Sequence, residues 1–166
     1  MAGEPAYVTS LEEVAWGLVL IAMTIVMHGF GTTLAILSTR GLLGPTRPER
    51  VFRSLAHIIV LAQLLVVLHL LEVAVWALFF FWKDCFSTLS LNYYVALLDY
   101  TTLGSEYNLP TRWRLLEGMI AICGLLTFAW TTSVMMGVIQ QVQDARVSPR
   151  HGVRAGHDAN AEAAQR

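Results

Sequence analysis

The sequence predicts an all-α membrane protein with three transmembrane helices and a short re-entrant helix between the second and the third. Apolar residues make up 55% of the 166 residues and charged residues only 14%, whereas ordinary soluble domains carry about 25% charge. The apolar residues fall into three blocks, 14–37, 55–82 and 115–142. Each block is longer than the ~20 residues that cross a bilayer. The segment 88–107 between the last two blocks is too short and too polar to cross.

The first block, 14–37, is predicted to be a retained transmembrane helix rather than a secretory signal. The residues before it are acidic at Glu4, Glu12 and Glu13, whereas a signal peptide begins with basic residues and has an apolar run of only about 7 to 15 residues. The block carries no arginine, which excludes a charged voltage-sensing helix. Its glycines favour close contact with neighbouring helices.

The distribution of arginines predicts the orientation in the membrane. The connection 38–54 and the tail 143–166 hold four arginines each, while residues 1–13 hold neither Lys nor Arg. Cytoplasmic segments of membrane proteins are enriched in these residues. We therefore expect a multi-pass protein of the inner (plasma) membrane with segment 1–13 outside, a cytoplasmic loop at 38–54, and a disordered cytoplasmic tail at 143–166. This orientation puts segment 88–107 on the outer face.

The second block, 55–82, carries ionisable side chains at the depth of the membrane. Such groups are costly there and indicate function by default. His69 and Glu72 lie three residues apart on one helical face, and two roles are open for them: hydrogen bonding within the helix bundle or sensing of pH. At the outer end, the aromatic run 79–82 followed by Lys83 predicts a belt at the membrane interface.

Segment 88–107 divides into a helix and an extended return. Residues 88–100 are amphipathic, and Ser87 or Thr88 is available as the N-cap. A helix of about twelve residues reaches only about 18 Å, so residues 101–107 must return from partway across the membrane. Irregular backbone at that depth is tolerated only where protein surrounds it or where it lines a water-filled cavity. We therefore expect this segment to line an aqueous path.

The order of span, short helix, Thr-Thr-Leu-Gly at 101–104 and span resembles the pore module of tetrameric potassium channels. More narrowly, the chain is similar to short bacterial potassium-channel-like proteins of the two-transmembrane pore (ion transport 2) family, with an extra N-terminal helix. Their filter reads Thr-Thr-Leu-Gly-Tyr-Gly-Asp. The resemblance covers about residues 68–136 and includes Trp-Arg-Leu-Leu at 113–116 and Phe-Ala-Trp-Thr-Thr-Ser at 128–133. It implies a pore module over 55–142, with outer helix 55–82, pore helix 88–100, filter 101–107 and inner helix 115–142.

The resemblance implies a channel subunit that acts as a homotetramer in membrane lipid, because one such segment cannot enclose a pore and symmetric closure needs four copies. Backbone carbonyls and a threonine hydroxyl would replace the water around a permeant K⁺ or, secondarily, Na⁺. Gly104 suits the left-handed backbone angles of such a filter. The expected filter residues are Thr101, Thr102, Leu103, Gly104, Ser105 and Glu106, with Asp99 and Tyr107 in support.

Three residues of the inner helix are candidates for lining the inner cavity. Thr127, Thr131 and Val134 share one helical face, although ordinary helix packing explains them equally well.

We expect no enzymatic activity, cofactor, resident metal or nucleic-acid partner, because no nucleophile constellation, phosphate-binding glycine loop or metal-ligand spacing occurs.

The outer half of the filter departs from the family pattern. Ser105 replaces the family's Tyr, Glu106 its second Gly and Tyr107 its Asp, while Asp99 takes the place of a pore-helix Thr. A non-glycine residue at left-handed angles costs about 1–2 kcal/mol. Glu106 is therefore expected to relax the outer carbonyl ring and to leave four carboxylates at the mouth, a device of cation channels. Weakened potassium selectivity follows from this expectation.

Two other functions stay open on the sequence. A degenerate filter is also compatible with a non-conducting membrane scaffold or sensor that keeps the channel fold. His28, His57 and His69 are available as axial ligands of a membrane haem protein, an alternative that leaves residues 101–104 unexplained.

Overall fold

The computed structural model of the chain describes residues 9–43 and 51–163, with side chains described over 9–39, 52 and 54–143. Over these residues the fold is all-helical and contains no strand. The elements are α1 (Leu11–Leu43), α2 (Val51–Trp82), α3 (Leu89–Tyr100), a 3-10 turn (Thr111–Trp113) and α4 (Leu115–Ala163). Three stretches are long and apolar enough to cross a membrane: Leu11–Thr39, Ser54–Trp82 and Thr111–Gln143. The all-α class and the three candidate spans are confirmed.

The helices extend beyond the predicted boundaries. Helix α1 begins at Leu11, where Glu12 and Glu13 in its first turn interact favourably with the helix dipole. Helix α4 continues to Ala163, through the segment for which the sequence predicts a disordered tail. The arginines that predict the orientation lie outside the described residues or have no described side chain, so the orientation stays a prediction. They are Arg40, Arg47, Arg50, Arg53, Arg146, Arg150, Arg154 and Arg166.

Helix α2 ends at Trp82 without a glycine. Asp84 adopts a φ of 53° and its N–H donates to the carbonyl of Phe81, while the N–H of Cys85 donates to the carbonyl of Phe80 at 3.0 Å. This pair of bonds is a Schellman motif, which satisfies the last carbonyls of a helix. Asp tolerates left-handed angles better than most residues, so the chain turns here toward α3.

Helix α3 begins at the predicted N-cap. Thr88 is extended, and its hydroxyl accepts the N–H of Leu91 at 3.2 Å. The side-chain amide of Asn92 donates to the carbonyls of Phe86 and Thr88 at 3.0 and 2.8 Å. These bonds hold the turn between α2 and α3 in place.

From this cap, α3 runs back beside α2 toward the middle of the bundle and packs against both α2 and α4. Its last residue, Tyr100, lies 2.5 Å from Glu72, near the middle of the second span. Gly124 of α4 makes the contact possible, since a Cβ there would lie 2.0 Å from the carbonyl oxygen of Tyr100. The backbones of α3 and α4 therefore meet at this glycine.

Two glycines of α1, Gly17 and Gly31, are also points of close contact, as predicted. A Cβ on Gly17 would lie 2.3 Å from the sulfur of Met119 in α4, and one on Gly31 would lie 2.4 Å from Leu68 in α2. Small residues let neighbouring helices approach closely, so α1 packs directly against the other two spans.

The start of α1 is tied to the start of α4. The carboxylate of Glu13 accepts the N–H of Leu115 at 2.6 Å, and Glu12 forms an ion pair with Arg112. A carboxylate in the first turn of a helix also interacts favourably with the helix dipole. The start of α1 and the start of α4 therefore lie on one side of the bundle.

The end of α2 lies on the same side, where Lys83 is surrounded by aromatic rings. Its Nζ is 4.0 Å from the ring centroid of Trp82, 5.0 Å from Trp16, 5.2 Å from Trp113 and 5.8 Å from Phe79. These are cation–π contacts, each worth about 0.5–2 kcal/mol. The predicted aromatic belt is therefore partly turned inward, and it joins α1, α2 and the 3-10 turn.

Candidate functional site

A buried group of polar side chains, here called the polar cluster, joins all four helices at the centre of the bundle. His28, Glu72 and Thr127 in this group have no exposed surface. Apolar surroundings make such groups costly unless they are hydrogen-bonded. The members are His28 of α1, His69 and Glu72 of α2, Tyr100 of α3, and Thr127 and Thr131 of α4.

Glu72 is the central acceptor of the polar cluster. Its Oε1 lies 2.8 Å from Nδ1 of His28. Its Oε2 accepts the hydroxyl of Tyr100 at 2.5 Å and lies 3.3 Å from Nδ1 of His69. Nδ1 of His69 is also 3.0 Å from the Tyr100 hydroxyl. A carboxylate in a membrane span needs such partners, because an isolated charge is expensive there.

Two threonines of α4 close the cluster on the opposite side. The hydroxyl of Thr131 lies 2.9 Å from Nε2 of His69 and 3.4 Å from Nε2 of His28. The hydroxyl of Thr127 lies 2.5 Å from that of Tyr100. Both threonines therefore bond inward, within one chain.

This placement changes the interpretation of the predicted cavity-lining residues. Thr127 is fully buried, so it lines no surface of the single chain, while Thr131 and Val134 are half-buried. Helical spacing predicts which residues share a face, but it does not predict which neighbouring helix covers that face. Among the described side chains of α4, an exposed face holds Ile122, Leu125, Ala129, Thr132 and Met136.

His28 and His69 pack directly against each other, with ring centroids 5.3 Å apart. Phe128 stacks on His69 at 4.5 Å, and Trp130 meets His28 edge-on at 5.5 Å. No space for a porphyrin remains between these two imidazoles. His57 lies about 18 Å further along α2, at 1.5 Å per residue. This geometry argues against the haem alternative.

The filter segment, residues 101–107, follows α3 directly. Thr102 and Gly104 have φ values of 62° and 69°, and the N–H of Leu103 donates to the carbonyl of Leu98 at 2.9 Å. A left-handed angle at Gly104 is as expected for glycine. The same angle at Thr102 was not predicted, and it is unusual for a β-branched residue.

The outer half of the filter segment bonds to itself. The hydroxyl of Ser105 donates to the carbonyl of Tyr107 at 2.6 Å and accepts its N–H at 3.2 Å. Glu106 is exposed and, unlike Gly104, does not have a positive φ. The alternation of left-handed angles therefore stops at Gly104, and the strain that the family's geometry would place on Glu106 is avoided.

Asp99 is the next-to-last residue of α3 and contacts the filter segment. Its backbone carbonyl accepts the N–H of Thr102 at 3.0 Å. Its side chain is buried, and the Oδ2 atom has no hydrogen-bond partner among the described residues. Asp99 therefore supports the segment through its backbone rather than through this oxygen. Tyr107, the other predicted support, packs edge-on against Phe86 at 6.5 Å.

Sequence reasoning found part of the polar cluster. It singled out His69 and Glu72 for their depth and spacing, and the structure brings these two together. It grouped His28 with His69 only in the haem alternative, and it predicted neither the contact of His28 with Glu72, 44 positions away, nor the place of Tyr100 in the cluster. A histidine inside an apolar span was the one signal that pointed to His28.

No protein family, curated protein or solved structure matches the chain.

Proposed function

We propose that the chain is a subunit of a cation channel in which four copies surround one pore. The observation that carries this proposal is the path of residues 89–107. A helix of 12 residues runs from the end of α2 to the middle of the bundle and is followed by an irregular segment. Backbone of this kind at membrane depth requires surrounding protein or a water-filled cavity. We infer that the segment is re-entrant and lines the pore.

The hydrogen bonding of the filter segment supports this inference. The N–H groups of Leu103 and Gly104 both donate to the carbonyl of Leu98. Among the described residues, by contrast, no group donates to the carbonyls of residues 101–104. Thr102 and Gly104 both have left-handed angles. Unpaired backbone carbonyls are the ligands with which a filter replaces the hydration shell of an ion.

Exposure of the surrounding residues supports assembly. Leu103 is 76% exposed, which is unusual for an apolar residue beside the centre of a bundle. The exposed face of α4, which includes Ile122, Ala129 and Thr132, is available to line an inner cavity or to contact a neighbouring copy. One segment cannot enclose a pore axis. Three further copies of the chain, related by closed cyclic symmetry, supply the other three segments.

The outer half of the filter segment favours weak selectivity. Because Glu106 lacks a left-handed angle, the ordered carbonyls end at Gly104, and fewer fixed oxygens surround a dehydrated ion. The exposed Glu106 side chains would form a ring of four carboxylates at the mouth and concentrate cations there. We expect permeant K⁺ with appreciable permeation of Na⁺.

The main alternative is a non-conducting membrane scaffold or sensor with the same fold. The specific observation in its favour is the bonding of Ser105 to Tyr107, which gives the outer half of the segment a structure of its own. A scaffold needs no ion path, so measurement of current separates the two functions.

Planar-bilayer recording of the purified protein tests the proposal. Under gradients of potassium, sodium and calcium salts we expect unitary cation currents, with a reversal potential that shows only modest preference for K⁺ over Na⁺. The absence of currents from protein shown to be folded and tetrameric would contradict the channel and favour the scaffold. Strong selection of K⁺ over Na⁺ would contradict the weakened filter.

A pair of glycine variants makes the test specific. A Cβ added at Gly104 or at Gly118 meets nothing within 4 Å in the single chain, but only Gly104 has a positive φ. Gly104→Ala should therefore strain the filter backbone by about 1–2 kcal/mol per subunit and reduce the unitary current. Gly118→Ala should leave it unchanged. Equal currents in the two variants would show that the filter segment does not form the conducting path.

A further inference from the structure

Three ligand-type atoms converge inside the polar cluster. One ligand atom each from His28, His69 and Glu72 lies within 4.8 Å of the other two, and all three residues are buried. Nδ1 of His28 and Nδ1 of His69 lie 2.8 and 3.3 Å from the two carboxylate oxygens of Glu72. Two imidazoles with one carboxylate are the protein ligands of many zinc enzymes and of non-haem iron sites. The spacing of these residues along the chain gives no such signal, because His28 belongs to a different helix.

The opposite nitrogens of both rings converge as well. Nε2 of His69 and Nε2 of His28 lie 2.9 and 3.4 Å from the hydroxyl oxygen of Thr131. A threonine oxygen has two lone pairs, so it can accept an N–H from each ring. A histidine that binds a metal through one nitrogen usually donates the other N–H to such a partner. Tyr100 gives Glu72 the same kind of support by donating to its Oε2.

One pair of histidine tautomers creates a need for positive charge. When both rings donate Nε2–H to Thr131, their Nδ1 lone pairs face the oxygens of Glu72 at 2.8 and 3.3 Å. Facing lone pairs repel unless a cation lies between them. Among the described side chains, no Lys or Arg pairs with Glu72. A metal ion supplies the charge and uses all three lone pairs.

We propose that His28, His69 and Glu72 bind one divalent transition-metal ion per chain, with Zn²⁺ the best match to this ligand set, and that Thr131 and Tyr100 hold the ligands in position. The ion would fasten α1 to α2 and, through Tyr100, would fix the end of α3. This inference does not depend on the proposed channel function, since a scaffold with the same fold would contain the same site.

Metal binding by the tag-free protein in detergent tests the proposal. After treatment with a chelator and confirmation that the protein is folded and monodisperse, equilibrium dialysis against Zn²⁺ should give one ion per chain. Co²⁺ should bind at the same site and show the visible absorption of a four-coordinate complex with nitrogen and oxygen ligands. Folded wild-type protein that takes up no Zn²⁺ would overturn the proposal, since protons then satisfy the polar cluster.

Substitutions of single residues test which side chains bind the metal ion. His69→Gln and Glu72→Gln should abolish stoichiometric binding, and Thr131→Val, which removes only a supporting hydroxyl, should weaken it about 10- to 100-fold. His57→Gln is the matched control, because His57 is a buried histidine of the same helix and lies outside the polar cluster. If a ligand variant fails to fold, the Zn²⁺ affinity of Thr131→Val and the Co²⁺ spectrum of the wild-type protein still test whether the site exists. Binding that Thr131→Val leaves unchanged, or that His57→Gln abolishes, would overturn the assignment.

Discussion

The polar cluster and the filter segment are consecutive in the chain, since Tyr100 belongs to one and Thr101 begins the other, yet their bonding differs. In the polar cluster, Glu72 is bonded to His28, His69 and Tyr100, all within one chain. In the filter segment, the carbonyls of residues 101–104 accept no hydrogen bond among the described residues. The first region is therefore bonded within one chain, whereas the second leaves backbone carbonyls without a donor among the described residues.

The largest effect is expected from breaking the polar cluster. Glu72→Leu would remove the carboxylate that two imidazoles and the Tyr100 hydroxyl contact, and loss of one partner of a buried pair costs about 3–5 kcal/mol. Unfolding of the detergent-solubilised protein, followed by circular dichroism, measures the change. Glu106→Gln is the control, because Glu106 is exposed and substitutions at such sites stay within about 0.5 kcal/mol. Equal stability of the two variants would mean that the cluster does not stabilise the fold.

A smaller loss is expected at the contact that positions the filter segment. Gly124→Ala places a Cβ 2.0 Å from the carbonyl oxygen of Tyr100, so α3 must move away from α4. Overpacking of this kind costs about 1–3 kcal/mol. Gly137→Ala is the matched control on the same helix, since a Cβ there meets nothing within 4 Å and Ala is the better helix former by about 1 kcal/mol. Unfolding measurements that rank the two variants in the opposite order would contradict this account of the contact.

The features that the sequence predicted are those that local chemistry determines. The three spans follow from the length of apolar runs, the start of α3 from a hydroxyl residue at Thr88, and the left-handed angle at Gly104 from the absence of a Cβ. Each of these depends on a few consecutive residues or on a single long stretch.

The features that escaped prediction depend on how separate helices pack. The pairing of His28 with Glu72 joins residues 44 positions apart, and the burial of Thr127 depends on where Tyr100 ends α3. The angle at Thr102, by contrast, has a local origin. The hydrogen bonds from Thr102 and Leu103 back to Asp99 and Leu98 close the helix in a Schellman arrangement, which requires a left-handed residue.

That origin gives a test within the filter segment. Thr102→Gly removes the cost of a β-branched residue at left-handed angles, about 1–2 kcal/mol, against a larger loss of chain entropy for glycine of about 0.5–1 kcal/mol. We expect a net gain of up to about 1.5 kcal/mol in the stability of the protein. Leu103→Gly is the control, because Leu103 has no positive φ and should only lose stability. A loss at both positions would show that Thr102 is not strained.

The smallest effect concerns the turn between α2 and α3, where a buried group outside the spans can be titrated. Burial, together with the negative charge of Asp84, raises the pKa of the Cys85 thiol to about 11. Only the thiolate reacts with alkylating reagents, so modification should be slow at neutral pH and accelerate about tenfold per pH unit until the pKa is reached. Asp84→Asn removes the charge, keeps a side chain that tolerates left-handed angles, and should lower the pKa and speed alkylation at a given pH. Fast, pH-independent modification of Cys85 would contradict the close packing of this turn, and with it the geometry that directs α3 back toward Glu72.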